Sequence, residues 1–176
     1  DLFDRGPRFD GYHKFFNRMC IFFTLIYIFV IAKQYFITPI VPPYHSLKFG
    51  AHNFIPFMAT GTYIEHTFKA GKSINEFVFY ALQLVCLGIP FGYLCRVALR
   101  KLNFVFRIII YILFPAALEA AQYMTGLGRG DIDDCVFSLI GIFIGVVLFH
   151  IMNGAFQTIA TRDFMISRAQ QKKYHF

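Results

Sequence analysis

Residues 107–125 read "RIIIYILFPAALEAAQYMT" and residues 134–153 read "DCVFSLIGIFIGVVLFHIMN", with only "GLGRGDID" between them. Each run is about 20 residues long, enough to cross a hydrocarbon core as a helix rising 1.5 Å per residue. Two more windows of that length lie upstream. One covers about 15–32 and continues past Lys33 to Phe36; the other covers about 76–98, where "FVFYALQLVCLGIPFGYLC" carries no charge. Four spans, at about 15–36, 76–98, 107–125 and 134–153, predict an all-α integral membrane protein forming a single membrane domain over residues 1–176.

The totals agree. Apolar residues make up 57% of the 176, charged residues only 15%, and mean hydropathy is +0.53. A water-facing domain carries about a quarter charged residues, so a soluble fold is excluded. There are 24 Phe and 10 Tyr but no Trp, which leaves Tyr to form the interfacial belt. Cys20, Cys86, Cys95 and Cys135 all fall inside apolar runs without a CxxC spacing, so they read as small apolar residues of helices. No initiator Met and no leader with a small-residue cleavage site is visible in the numbered chain.

Lysine and arginine set the orientation. Twelve lie on one side: Arg5, Arg8, Lys14 and Arg18; Arg96, Arg100, Lys101 and Arg107; and Arg162, Arg168, Lys172 and Lys173. Five lie on the other: Lys33, Lys48, Lys69, Lys72 and Arg129. This predicts cytoplasmic N- and C-termini and a long first extracytoplasmic loop. The net charge of +7 is then a basic rim beside anionic lipid, with membrane lipids as partners and no nucleic acid. The tail "RAQQKKYHF" reads as a solvated membrane-flanking end.

The same orientation puts the unusual polar chemistry outside. Glu119 lies roughly 16 Å along its span from Ile108, where an ionisable side chain is costly and must face the bundle interior. Gln122 follows on the same helical face, and Pro115 one turn earlier frees a carbonyl near Tyr111 and is placed to bend the helix. "TGLGRGD" is a glycine-rich turn able to present backbone amides, with Arg129 placed to pair with Glu119 or Asp134, or to clamp an anion. Asp131 begins the fourth span, where a helix N-terminus favours a carboxylate. Asp134, Ser138, Gly141 and Gly145 share one face that ends in a GxxxG pattern. The third span, joined by the short loop, is the expected partner of that face, so Glu119, Gln122, Arg129 and Asp134 should converge. They form either a structural clasp or a binding site.

Elsewhere, "AHNFIPF" sets Asn53 before Pro56, with Phe54 and Phe57 placed to dip into lipid. Pro90 and Gly92 lie in mid-span and predict a kink. His45, His52, Glu65 and His66 also fall outside but lack an established metal-ligand spacing, so no metal and no cofactor is expected. His150 reads as a hydrogen-bonded core residue.

Three segments in order, "HNFIPF", "IPFGYL" and "LEAAQYMTGLGRGDIDDCVFSLIGIFIG", resemble the VanZ-like family of small bacterial membrane proteins over roughly residues 50–150. The matching positions are Asn53, Pro56, Phe57, Pro90, Gly92, Glu119, Gln122, Arg129, Asp131, Asp134, Gly141 and Gly145. Two positions depart from the pattern: Ser138 and Leu84 stand where the family often has Asn, with Gln83 beside the latter. The resemblance implies a protein of the bacterial inner membrane whose polar residues face the outer leaflet. The family is named for a protein that lowers susceptibility to teicoplanin, a lipidated glycopeptide acting there.

Three functions compete. The first is a binding protein for a lipid headgroup, a cell-wall precursor or a lipidated glycopeptide, using Glu119, Gln122, Arg129, Asp131 and Asp134. The second is a non-catalytic accessory subunit of a larger membrane complex. The third is an enzyme acting on a lipid-linked substrate with Glu119 and Asp134 as an acid/base pair; no placed nucleophile, metal set or phosphate loop accompanies them, so the sequence assigns no catalytic residue.

Overall fold

The computed structural model describes residues 10–40, 42–43, 52–128 and 130–173, without side chains at 10–14, 16–17, 52 and 159–173. Helix α1 (Asp10–Ala32) passes into a π-helical turn at Lys33–Ile37. There follow β1 (His52–Asn53), α2 (Met58–Lys69), α3 (Asn75–Ala98), α4 (Phe104–Thr125), β2 (Gly130–Asp131) and α5 (Ile132–Lys173). The two strands make one short parallel pairing, His52 with Gly130 and Asn53 with Asp131. Among the described residues four helices are long and apolar enough to span a membrane, over Arg18–Ile37, Asn75–Ala98, Phe104–Thr125 and Ile132–Thr158. The fold is the all-α, four-span architecture expected from the apolar runs.

Pairing departs from expectation. The glycine face of α5 packs on α3, not on its hairpin neighbour α4. A Cβ added at Gly141 would lie 2.0 Å from the Val85 carbonyl, and one at Gly145 would lie 2.0 Å from that of Ile89. From the other side, a Cβ on Gly88 would meet the Ser138 carbonyl at 2.3 Å and one on Gly92 the Ile142 carbonyl at 2.1 Å. The reason is in α3 itself: Gly88 and Gly92 repeat the four-residue spacing of Gly141 and Gly145, so two glycine grooves meet and the backbones touch. Tyr80 bonds Asp134 and Arg96 bonds His150, each across 54 residues of sequence, so the register is constant and the two helices run parallel. Ile142 is fully buried, and its backbone lies against both Gly88 and Gly92.

Gly92 therefore serves this packing instead of the charged cluster, while Pro90 lines a groove against α1. α3 runs unbroken through Pro90, and α4 through the buried Pro115. The remaining faces are apolar and uncovered: Ile21, Phe22, Leu25 and Phe29 on α1, and Phe104, Phe106 and Leu113 on α4, are all exposed, as lipid-facing residues must be.

The expected outer loop is not a plain loop. Its described part forms α2, which lays Ala59 against Phe77, Tyr80 and Leu84 of α3 to make a small core over that end of the bundle. Leu84, one of the two departures from the family pattern, is buried in that core, whereas Gln83 turns away into a groove against α1.

Candidate functional site

Helix α4 closes on Gly126, whose left-handed backbone (φ 70°) ends the helix in the manner that favours glycine. The amides of Leu127 and Gly128 then turn back onto the Gln122 carbonyl at 3.0 and 3.3 Å. These amides, expected to be available to an anion, are engaged in stopping the helix. Arg129 lies outside the described residues.

The chain next pairs as β2 beside β1, and Asp131 caps α5: its Oδ1 accepts the Asp133 amide at 3.0 Å. The same oxygen accepts the Asn53 side-chain amide, also at 3.0 Å, while the Asn53 Oδ1 accepts the Ile55 amide at 3.3 Å. Asn53 thus ties the strand to the start of α5, and the short parallel pairing sets its register.

Asp133 has no role in the sequence reading, yet it is the most deeply buried of the carboxylates, at 0% exposure. Helix α2 begins at Phe57 without a side-chain cap of its own, and Asp133 supplies one from 73 to 76 residues away. Its Oδ1 accepts the Phe57 amide at 2.5 Å; its Oδ2 accepts the Thr60 amide at 3.2 Å and the Thr60 hydroxyl at 2.7 Å. A carboxylate over the first turn also matches the partial positive charge there. The arrangement holds Phe57 at φ 62°, a backbone region that a bulky residue enters only when its surroundings compel it. Pro56 precedes it in the same turn, and Phe54 and Phe57 are exposed.

The next acid points the other way. The Tyr80 hydroxyl of α3 donates to Asp134 Oδ1, and Ser138, one turn below, lies against the Tyr35 hydroxyl. Tyr35 belongs to the π-helical turn at the end of α1, and its carbonyl accepts the Gln122 side-chain amide at 3.1 Å. A π turn disturbs the ordinary carbonyl ladder, and here the side chain of another helix bonds to it. Glu119 accepts the Asp131 amide at 3.4 Å.

The structure therefore brings together Asn53, Phe57, Glu119, Gln122, Asp131, Asp134 and Ser138. It adds Asp133, Tyr80, Tyr35 and Thr60, and it leaves Gly92, Gly141 and Gly145 to the α3–α5 seam and Pro90 to the groove against α1. Among the described residues the aspartates fasten the 53–60 segment and α3 to the start of α5, and Glu119 of α4 joins them through the Asp131 amide.

Beside the clasp lies a half-open cavity of about 480 Å³, lined by Phe54, Ala116, Glu119, Ala120, Tyr123, Gly130, Asp131, Ile132 and Cys135. Its walls are mostly apolar, with two carboxylates and the Tyr123 side chain among the lining groups. Glu119 is buried at 6% exposure and, among the described residues, accepts only the long bond from Asp131, so acceptor capacity remains on a side chain that lines the cavity. Such a site suits a ligand with an apolar part and hydroxyl, amide or ammonium donors.

Other sequence candidates fall elsewhere. Glu65 is exposed and paired with Lys69 at 2.5 Å, whose ammonium holds its carboxyl below the ordinary value. His45 and the His52 side chain lie outside the described residues. His150 accepts a hydrogen bond from Arg96 as expected of a bonded residue, but it is exposed instead of lying in the core.

With this geometry, the comparisons with known proteins are as follows. The VanZ/LLP1 family model matches residues 19–153. The chain is 26% identical over 130 residues to Protein VanZ of Enterococcus faecium, covering 74% of this chain and 69% of that protein. No solved structure matches.

Proposed function

The chain belongs to the VanZ/LLP1 family and is an integral membrane protein, and from that premise we propose that it binds the headgroup of a lipid-anchored envelope molecule at the outer leaflet. The termini are cytoplasmic, as the lysine and arginine count implies, and the clasp end faces outward. The ligand's headgroup enters the cavity between α4 and the start of α5, and its chain stays in lipid. Glu119 and Asp131 accept hydrogen bonds from its hydroxyl, amide or ammonium groups; Phe54 and Tyr123 cover its apolar part. A lipidated glycopeptide and a lipid-linked wall precursor both have this chemistry.

One observation carries the reading: a buried carboxylate in membrane surroundings, Glu119, opens on a cavity and, among the described residues, is bonded by a single long amide contact. The other acids at this end have structural work. The test is binding of teicoplanin, and of the same glycopeptide without its acyl chain, to the full chain in lipid nanodiscs. Glu119→Gln keeps the shape and removes the charge. The acylated form should bind tenfold or more tightly than the deacylated one, and Glu119→Gln should lose about tenfold, the scale of one charge-assisted hydrogen bond. Equal binding by both proteins sinks the site.

An accessory-subunit role has one observation in its favour. Leu84 is packed in an apolar core at a position where the family often carries an amide, so part of the family pattern is replaced by scaffold. A stoichiometric partner co-migrating in mild detergent, with no glycopeptide binding, would establish that role instead.

A further inference from the structure

The opposite end of the bundle, where α3 gives way to α4, has the reverse chemistry. Arg96 near the end of α3 donates through Nε to His150 at 3.4 Å and lies over the Phe149 ring, 5.4 Å from its centroid. Arg107 and Tyr111, one turn apart on α4, stand at the same end of the bundle as Arg96, across the short connection 99–103. The Arg107 Nε and the Tyr111 hydroxyl are both buried and, among the described residues, have no hydrogen-bond partner. No carboxylate pairs with Arg96 or Arg107 among the described residues, and Glu119 is 12 residues further along α4, roughly 18 Å away.

This is an unfavourable arrangement for the protein alone. Two guanidinium groups stand at this end with no carboxylate beside them among the described residues, and two of the donors here are buried without an acceptor, which is costly. One tetrahedral anion with several acceptor oxygens relieves all of it, pairing both cations and accepting from Nε and from the phenol. We propose that Arg96, Arg107 and Tyr111 form a phosphate site for an anionic membrane lipid, separate from the outer cavity.

The level of the site selects lipid over a free phosphate. Phe104, Val105, Phe106 and Ile108 around Arg107 are all exposed apolar side chains at the start of a membrane-length helix, which holds the guanidinium at the edge of the hydrocarbon. Basic pockets between spans at that level take anionic headgroups. Under the orientation proposed above this is the cytoplasmic leaflet, but the site itself does not depend on which leaflet it faces.

The experiment is native mass spectrometry of the full chain released from nanodiscs of equimolar phosphatidylglycerol and phosphatidylcholine. The wild type should retain phosphatidylglycerol at least tenfold over phosphatidylcholine. Arg107→Gln should cut that enrichment about tenfold. Tyr111→Phe, which keeps the ring and removes one donor, should cut it about threefold. Glu119→Gln should leave it unchanged, which keeps this result distinct from any failure of the outer site. Equal retention of the two lipids by the wild type overturns the proposal, and so does selectivity that survives both Arg107→Gln and Tyr111→Phe. Displacement of phosphatidylglycerol by millimolar inorganic phosphate assigns the site to free phosphate and overturns the lipid. If Arg107→Gln does not purify as a single species, Tyr111→Phe decides alone, and unchanged enrichment there overturns the assignment.

Discussion

Two stretches of α5, less than two turns apart, hold the molecule together by opposite means. Residues 131–138 reach outward with side chains: Asp131 to Asn53, Asp133 to Phe57 and Thr60, Asp134 to Tyr80. Residues 141–145 bind by having almost none, because Gly141 and Gly145 let the α3 backbone come within contact. In lipid, apolar burial drives helix association only weakly, so close packing and polar bonds have to do what a hydrophobic core does in water. The charged stretch fixes which segment docks where, and the glycine stretch fixes how near two helices lie.

The contrast breaks first at the glycines. Gly141→Leu puts a side chain where even a Cβ would be 2.0 Å from the Val85 carbonyl, and that obstacle is backbone. The α3–α5 pair should come apart, at a cost above about 3 kcal/mol, and gel filtration in mild detergent should show aggregated or unfolded chain. A monodisperse variant with wild-type melting would mean that the seam is looser than the contacts imply.

Asp133→Ala comes second. It removes the acceptor of two amides and a hydroxyl at the start of α2, one donor of which, Thr60, is buried. Stability should fall by about 2–4 kcal/mol, the range for stranding buried donors that had bonded to a charge. Limited proteolysis should now cut between residues 54 and 69, while the spans stay intact. Unchanged protection there would show that α2 is held by its core contacts alone. Tyr80→Phe is milder. It deletes a single hydroxyl bonded to Asp134 and should lower the melting midpoint by a loss of about 1.5–3 kcal/mol, with no new cleavage site.

The ranking also indicates what the sequence made legible. The spans were plain, because hydropathy over 20 residues needs no tertiary knowledge. Glu119, Gln122, Asp131 and Asp134 were visible as polar residues out of place in apolar surroundings. Helix α2 was hidden in a stretch rich in Pro and aromatics, and its N-terminus follows a left-handed Phe57 with no cap in the local sequence. The role of Asp133 is not legible in the sequence because its partners are more than 70 residues away. The α3–α5 pairing is legible in the repeat of the Gly141 and Gly145 spacing at Gly88 and Gly92, although the short loop between α4 and α5 favours the hairpin instead.

The smallest effect sharpens the comparison most, since it uses the same residue type. Gly61 lies inside α2, and a Cβ built on it meets nothing within 4 Å. Its backbone is ordinary helix, so the missing side chain serves no contact and only widens the unfolded ensemble. Gly61→Ala should therefore stabilise the protein by about 0.5–1 kcal/mol, read as a small rise in melting midpoint with cavity binding intact. Gly141→Ala adds the same methyl group to the same backbone conformation and should destabilise. If both substitutions move stability in one direction, the approach of α3 to α5 is not what glycine is there to allow. Opposite signs would separate a glycine required by a neighbour from one that α2 merely tolerates.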